Sequence, residues 1–200
     1  MTISASTPRL RATLLYYLWL VIATGLIGRP ALPPTSAMIA SSAALLLVAG
    51  AVLGRIWCSV FIAGRKDAQL VTEGPYASCR HPLYLLSMIG GLGLGLATHS
   101  LSLTLLTLLV LGVLFWRASR AEERFLEQLH GDRFTAYAAR TPRFLPRLSR
   151  YVVPAQLPVQ PQVLWKAFLD AGSFIVLLVL VELSRHLRDV GVLETLLRVP

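Results

Sequence analysis

Charged residues are scarce in this chain of 200 residues, and acidic residues are scarcer than basic ones. Only 14% of the residues are charged, against about a quarter in an average soluble domain, whereas 55% are hydrophobic. Cysteine occurs only twice, which excludes a disulfide framework and makes a zinc site of paired cysteines and histidines unexpected. We therefore expect no metal site, and the shortage of charge argues against a soluble domain.

The apolar residues are concentrated in five stretches that are long enough, or nearly long enough, to cross a bilayer as helices. The third and fourth stretches are short and are separated only by Thr98-His99-Ser100, which predicts a tight helical hairpin. The five stretches are Leu10–Gly28, Ser36–Ala63, Pro82–Thr98, Leu101–Trp116 and Leu164–Leu183. The sequence therefore predicts an all-α, polytopic membrane protein with about five transmembrane helices in a single domain, residues 1–200.

Basic residues are distributed unevenly between the two ends of these stretches. The net charge of +9 would suit nucleic-acid binding, but the positions of the charges favour a membrane. With a cytoplasmic amino terminus, fourteen Lys and Arg residues lie inside, four lie outside, and Arg55 lies within the second stretch. This asymmetry predicts an inner (plasma) membrane protein with segment Arg117–Val163 in the cytoplasm, whose basic residues attract anionic lipid head groups rather than nucleic acid.

Polar residues cluster first in the motif Gly74-Pro75-Tyr76-x3-Arg80-His81-Pro82-x-Tyr84. Pro82 suits the first turn of a helix, so His81 lies at the amino end of the third span. Free backbone N–H groups and the helix dipole favour an anionic ligand group at such an end. The alternative is a proline-initiated helix whose polar side chains are only anchored in the head-group layer, and spacing alone leaves both interpretations open.

A second polar cluster follows the fourth span, which is predicted to continue as a helix past Glu122-Glu123 until His130-Gly131 ends it. Tyr137 and Arg143 come next, and repeated prolines then predict an extended path back to the membrane. Adjacent helical residues point about 100° apart, so at most one of the two glutamates should contact a ligand. The alternative is a solvated helix in which Glu123 pairs with Arg120.

A third feature is the run of glycines from Gly90 to Gly95 within the third span. A phosphate-binding loop requires a preceding strand, which an apolar span does not provide. Close helix packing is the favoured interpretation, and room for a flat cofactor between helices is the alternative.

Taken together, the motifs GPY-x3-RHP-x-Y and EE-x2-L-x4-G-x2-F-x2-Y-x5-R-x2-P, with a helical hairpin between them, resemble the isoprenylcysteine carboxyl methyltransferase family. This family is related to the phospholipid N-methyltransferases. The resemblance covers about Gly64–Arg147. It departs from the family pattern at Leu86, where many relatives have glycine, at His130, where most have phenylalanine, and in the additional span and tail from Leu164 onward.

The resemblance implies a membrane enzyme that transfers methyl groups from S-adenosylmethionine, bound on the cytoplasmic side, to a hydrophobic or lipid-like acceptor such as the carboxylate of an isoprenylated cysteine. The helical and extended cytoplasmic segment would complete the cofactor site, and Arg143 and Glu123 would act in catalysis. The implied cofactor-binding residues are Tyr76, Arg80, His81, Pro82, Tyr84, Gly91, Gly93, Glu122, Glu123, Tyr137 and Arg143. Two other classes stay open, a membrane reductase that uses a nicotinamide cofactor and a non-enzymatic membrane scaffold.

Overall fold

Helices account for almost all of the regular structure. The computed structural model describes residues 6–28, 32–65, 69–157, 159–193 and 197–198. Two basic residues that enter the topology argument, Arg29 and Lys66, lie outside the described residues. The elements in chain order are α1 (Ser6–Leu26), β1 (Ile27–Gly28), α2 (Pro34–Ile62), α3 (Pro75–Ser78), α4 (Pro82–Ala97), α5 (Leu101–His130), α6 (Asp132–Arg140), a 3-10 turn (Leu148–Arg150), α7 (Pro161–Asp189) and β2 (Leu197–Arg198).

The five predicted spans correspond to the five longest helices. Three of them, α2, α5 and α7, are long and apolar enough to cross a membrane, and α1 and α4 contain shorter apolar segments. Large apolar side chains on these helices, such as Leu46, Leu109 and Val176, are exposed as lipid-facing residues would be. The prediction of an all-α integral membrane protein is confirmed, and the side on which each end lies stays a prediction.

The predicted hairpin is present between α4 and α5. Its three-residue loop is stabilised by Thr98, whose hydroxyl donates to the carbonyl of Gly95 at 2.7 Å and accepts from the amide of Ser100 at 3.2 Å. His99 adopts the left-handed conformation with φ of 55°, which reverses the chain. The predicted continuation of the fourth span is also confirmed, because α5 runs without interruption to His130.

Two compact units can be distinguished in the chain. The first comprises Met1–Ala49, Met88–Leu114 and Ser173–Pro200, and the second comprises Gly50–Ser87 and Phe115–Gly172. In the first unit, the guanidinium of Arg188 donates to the carbonyls of Thr24 and Ile27 and thereby satisfies acceptors at the end of α1. A short parallel pairing of β1 with β2, which the sequence did not predict, lies in the same unit.

The second unit contains the polar motifs. Phe61 is fully buried there and packs beneath Gly74, whose positive φ of 57° forms the turn before α3. A Cβ atom at Gly74 would lie 2.2 Å from the ring of Phe61, so glycine is required for both conformation and space. Apart from the 3-10 turn, the described residues between α6 and α7 are irregular with extended stretches, as the prolines predicted, whereas α6 itself was not foreseen as a separate helix.

Candidate active site

The carboxylate of Glu123 is the centre of a compact polar cluster in the second unit. Arg143 donates to both of its oxygens, from Nε at 3.0 Å and from Nη2. His81 Nε2 and Arg80 Nη1 each lie 3.0 Å from its Oε1. Glu123 is not paired with Arg120, whose guanidinium lies over the Trp116 ring, so the expected pair of Glu123 with Arg120 is wrong.

The neighbouring glutamate, Glu122, has a different environment. It accepts a hydrogen bond of 2.8 Å from the Tyr84 hydroxyl, and its Oε2 lies 3.7 Å from His81 Nδ1. The side chain of Glu122 is 36% exposed, whereas that of Glu123 is 10% exposed. The two carboxylates therefore approach opposite nitrogens of one imidazole, and only Glu122 retains an accessible face.

Aromatic rings form one wall of the cluster. Tyr84 stacks between His81 and Phe115, with ring centroids 5.4 Å and 5.3 Å apart. The Arg143 guanidinium lies over the Trp116 ring at 5.1 Å, and Phe144 contacts both His81 and Trp116. Sequence reasoning missed Phe115, Trp116 and Phe144, although their positions next to the polar motifs were an available signal.

The extended segment after α6 is held against the first motif by backbone hydrogen bonds. The amides of Arg80 and His81 donate to the carbonyls of Pro142 and Arg143, at 2.8 and 3.1 Å, and the amide of Arg147 donates to Ser78 at 3.0 Å. The helix α4 begins at Pro82, as predicted. Because Pro142 and Arg143 already satisfy the two amides that precede α4, those amides are not available to the ligand carboxylate that the sequence suggested for this end.

Tyr76 and Tyr137 lie at the edge of the cluster, in the segments outside the apolar spans. The Tyr137 hydroxyl donates to the carbonyl of Tyr76 at 2.7 Å, which joins α6 to α3. Burial raises the pKa of both phenols, so both are neutral at physiological pH and Tyr137 remains a donor. Three buried polar atoms nearby have no hydrogen-bond partner among the described residues, namely Tyr76 Oη, Ser78 Oγ and Arg80 Nε.

Gly91 and Gly93 are the predicted site residues that the structure does not bring into this cluster. Both belong to the first unit, where a Cβ at Gly91 would lie 2.3 Å from Leu111 and one at Gly93 would lie 2.9 Å from the carbonyl oxygen of Ala44. These contacts support close packing as the reason for the glycines. The other predicted residues, Tyr76 to Tyr84, Glu122, Glu123, Tyr137 and Arg143, all lie in the second unit.

Comparison with known proteins relates the chain to a methyltransferase family and to metal-resistance proteins. Residues 35–133 match the phospholipid methyltransferase family. The chain is 41% identical over 150 residues, 75% of this chain and 69% of the relative, to the cobalt-zinc-cadmium resistance protein CzcN of Cupriavidus metallidurans. It is 37% identical to the nickel-cobalt-cadmium resistance protein NccN of Alcaligenes xylosoxydans xylosoxydans, over 71% of this chain and 68% of that protein.

A third relative carries an enzymatic name. The protein-S-isoprenylcysteine O-methyltransferase of Schizosaccharomyces pombe is 37% identical over 81 residues, 40% of this chain and 34% of the relative. No solved structure matches the chain. The chain belongs to a family that includes CzcN and NccN and that is similar to the phospholipid methyltransferases and the isoprenylcysteine carboxyl methyltransferases. It is thus an integral membrane protein of a methyltransferase family.

Proposed function

We propose that the chain transfers methyl groups from S-adenosylmethionine to a hydrophobic or lipid-like acceptor, at the cluster around Glu122 and Glu123. The proposal rests on the different contacts and exposure of the two carboxylates. Glu123 is enclosed by Arg80, His81 and Arg143, whereas Glu122 is 36% exposed and, among the described residues, is contacted by a neutral hydroxyl and the edge of an imidazole. The cluster therefore combines an accessible carboxylate with two fixed guanidinium groups.

The residues present fit the donor. S-adenosylmethionine carries an ammonium, a carboxylate, two ribose hydroxyls and a sulfonium, and each requires a complementary group. Arg80 Nε and the Tyr76 hydroxyl are buried without a partner among the described residues, although buried polar groups are normally hydrogen-bonded. A polar ligand beside Arg80 and Tyr76 would supply the missing acceptors and donors.

Each residue then has a defined task. Glu122 accepts hydrogen bonds from the ammonium or the ribose hydroxyls, and Arg80 and Arg143 orient the carboxylate of the same ligand. Glu123 positions both guanidinium groups, and Tyr84, stacked between His81 and Phe115, holds its hydroxyl against Glu122. When bound, the donor supplies a methyl group for an in-line displacement, in which alignment contributes more than covalent assistance.

The surroundings of His81 indicate which chemical class of methyl acceptor suits the site. Its two nitrogens face Glu123 and Glu122, so the imidazole is not free to act as a general base toward a third group. The other histidine named by the motifs, His130, is not a member of the cluster. A carboxylate acceptor is already a nucleophile and needs no base, so we favour a lipid-like carboxylate, such as that of an isoprenylated cysteine, over a thiol or an amine.

Titration of the detergent-solubilised protein with S-adenosylhomocysteine and with NADPH tests the assignment of the cofactor. We expect saturable binding of S-adenosylhomocysteine alone. Binding of NADPH without S-adenosylhomocysteine would instead support the membrane reductase. Binding of neither compound to folded protein would support the non-enzymatic scaffold.

The names of two relatives suggest a second, physiological role, because CzcN and NccN are named for resistance to metal ions. We propose that any contribution of this chain to metal resistance depends on methyl transfer. Complementation of a metal-sensitive deletion strain with wild type and with Arg143→Lys tests this dependence, since lysine cannot reproduce the bidentate contact with Glu123. Full rescue by the variant, at equal protein levels, would separate resistance from the methyltransferase site.

A further inference from the structure

A basic cavity lies in the second unit, between α6 and the segment that follows α2. Its volume is about 510 Å³, within the range of small-molecule sites of roughly 300–1,000 Å³. His130, Arg133 and Arg140 line it from the end of α5 and from α6, and Gln69 and Thr72 line it from the segment after α2. Among the described residues no acidic side chain lines the cavity, and the lining combines the two arginines with polar side chains and with the apolar Leu70 and Ala136.

The two arginines are arranged as a pair on one helix face. Arg133 and Arg140 are seven residues apart on α6, which places them two turns apart on the same side. Neither guanidinium has a carboxylate partner among the described residues, in contrast to Arg143, Arg80 and Arg55, which all do. Both side chains are exposed at the cavity, so an anionic ligand there would meet two guanidinium groups whose donors are not taken up by a carboxylate of the described residues.

A third observation is independent of the arginines. The Nε2 atom of His130 is buried and has no hydrogen-bond partner among the described residues, although the ring lines the cavity. The chain turns at Gly131, with φ of 51°, between His130 at the end of α5 and the start of α6. The imidazole therefore lies beside the same cavity as the two guanidinium groups, and its buried Nε2 atom is a further polar atom there without a partner among the described residues.

The cavity differs from the methyltransferase cluster. None of His81, Glu122, Glu123 or Arg143 lines it, and Tyr137 is the one predicted cofactor residue that does. The Tyr137 hydroxyl is already donated to the carbonyl of Tyr76, so the phenol contributes its ring as a wall. The planar guanidinium groups of arginine match phosphate oxygens in geometry and charge. A cavity of this size also accommodates the organic part of a phosphate ester.

We propose that this cavity binds a phosphate ester group as a second ligand site, separate from that of the methyl donor. The same chemistry can come from the head group of an anionic membrane lipid or from a soluble phosphate ester. The test compares wild type, the double variant Arg133→Gln/Arg140→Gln, and the control Arg124→Gln, which removes an exposed arginine of α5 that does not line the cavity. All three are purified as full-length chains.

Two probes distinguish a lipid head group from a soluble phosphate ester as the ligand. Retention of phosphatidylglycerol is measured by native mass spectrometry after reconstitution in phosphatidylcholine with phosphatidylglycerol, and glycerol 3-phosphate is titrated in detergent. We expect the double variant to bind at least one of these probes about tenfold more weakly than wild type, because charge-assisted contacts are lost. Weaker retention of the lipid alone identifies a head-group site, and weaker binding of glycerol 3-phosphate identifies a site open to soluble esters.

Three results would overturn the proposal. The first is equal binding of both probes to wild type and to the double variant. The second is an equal loss in Arg124→Gln, which would reduce the effect to general surface charge. The third is a parallel loss of S-adenosylhomocysteine affinity in the double variant, which would make the cavity part of the donor site. Failure of S-adenosylhomocysteine to bind any of the three proteins concerns the proposed methyl transfer and leaves the phosphate measurement independent.

Discussion

Replacing the two adjacent glutamates one at a time should give unequal results. Glu123→Gln removes the charge that Arg143 contacts through two nitrogens and that Arg80 and His81 approach to 3.0 Å. A neutral amide also directs its NH2 group at one of these donors. Glu122→Gln removes a carboxylate that accepts one hydrogen bond, from Tyr84, and the amide oxygen of glutamine can accept the same bond.

The expected loss of folding stability in each variant follows from the burial of the substituted side chain. Removing one partner of a largely buried ion pair costs about 3–5 kcal/mol, and the Glu123 side chain is 10% exposed. Losing the charge of a half-exposed group that keeps its hydrogen bond costs about 1 kcal/mol or less, and the Glu122 side chain is 36% exposed. At roughly 2–4 °C per kcal/mol for a chain of this size, Glu123→Gln should lower Tm by about 6–20 °C and Glu122→Gln by about 4 °C or less.

The protein contains its own reporter for this measurement. Cys58 and Cys79 are its only cysteines and are 2% and 1% exposed. Burial raises the pKa of the Cys79 thiol to about 11, so the thiol is neutral and unreactive in the folded protein at neutral pH. A maleimide dye that fluoresces on reaction therefore reports unfolding as the temperature rises.

The affinity for S-adenosylhomocysteine should depend on Glu122, although the Glu122 substitution is the one expected to destabilise the protein less. At a temperature where both variants are folded, Glu122→Gln should bind S-adenosylhomocysteine about one to two orders of magnitude more weakly than wild type, since a charge-assisted hydrogen bond contributes about 1.5–3 kcal/mol. Equal Tm shifts in the two variants would refute the division between a structural and a ligand-binding carboxylate. Unchanged affinity in Glu122→Gln would refute its contact with the donor.

Three further predictions concern the rest of the chain. Gly93→Ala should destabilise by about 1–3 kcal/mol in the same dye assay, because its Cβ meets a backbone oxygen, whereas Gly112→Ala, with nothing within 4 Å, should be neutral or stabilising. Arg55→Gln and Asp170→Asn should be non-additive by about 0.5–1 kcal/mol, since this partly exposed pair joins α2 to α7, and strict additivity would show the contact to be irrelevant. A reporter between α6 and α7 should be cytoplasmic and one at the carboxyl terminus external, and the same side for both would remove α7 as a span.

The helices and the two halves of the site were predictable because they depend on local signals. Apolar stretches defined the spans, Pro82 defined the start of α4, and the helical pattern after Trp116 carried α5 past Glu123. The motifs therefore converge although His81 and Glu123 are 42 positions apart. The argument from helical periodicity also anticipated that the two glutamates would have different environments.

The partners of individual side chains were not predictable in this way. Helical periodicity predicted Arg120 as the partner of Glu123. In the structure Arg80, His81 and Arg143 contact Glu123 instead, because the extended segment after α6 folds back along residues 74–81. Such pairing depends on long-range geometry that no short window of sequence contains. For the same reason the ion pair of Arg55 with Asp170, and the packing role of Gly93, emerged only from the structure.

Methyl transfer itself provides the most direct test. Membranes that contain the protein and its natural lipids are incubated with S-adenosylmethionine labelled in the methyl group, and label is measured in the organic extract. The account predicts label that is suppressed by excess S-adenosylhomocysteine and strongly reduced in Arg143→Lys, with one S-adenosylhomocysteine formed per methyl group transferred. Label no higher than in membranes lacking the protein, under conditions where the folded chain binds no S-adenosylhomocysteine, would contradict the assignment as a methyltransferase.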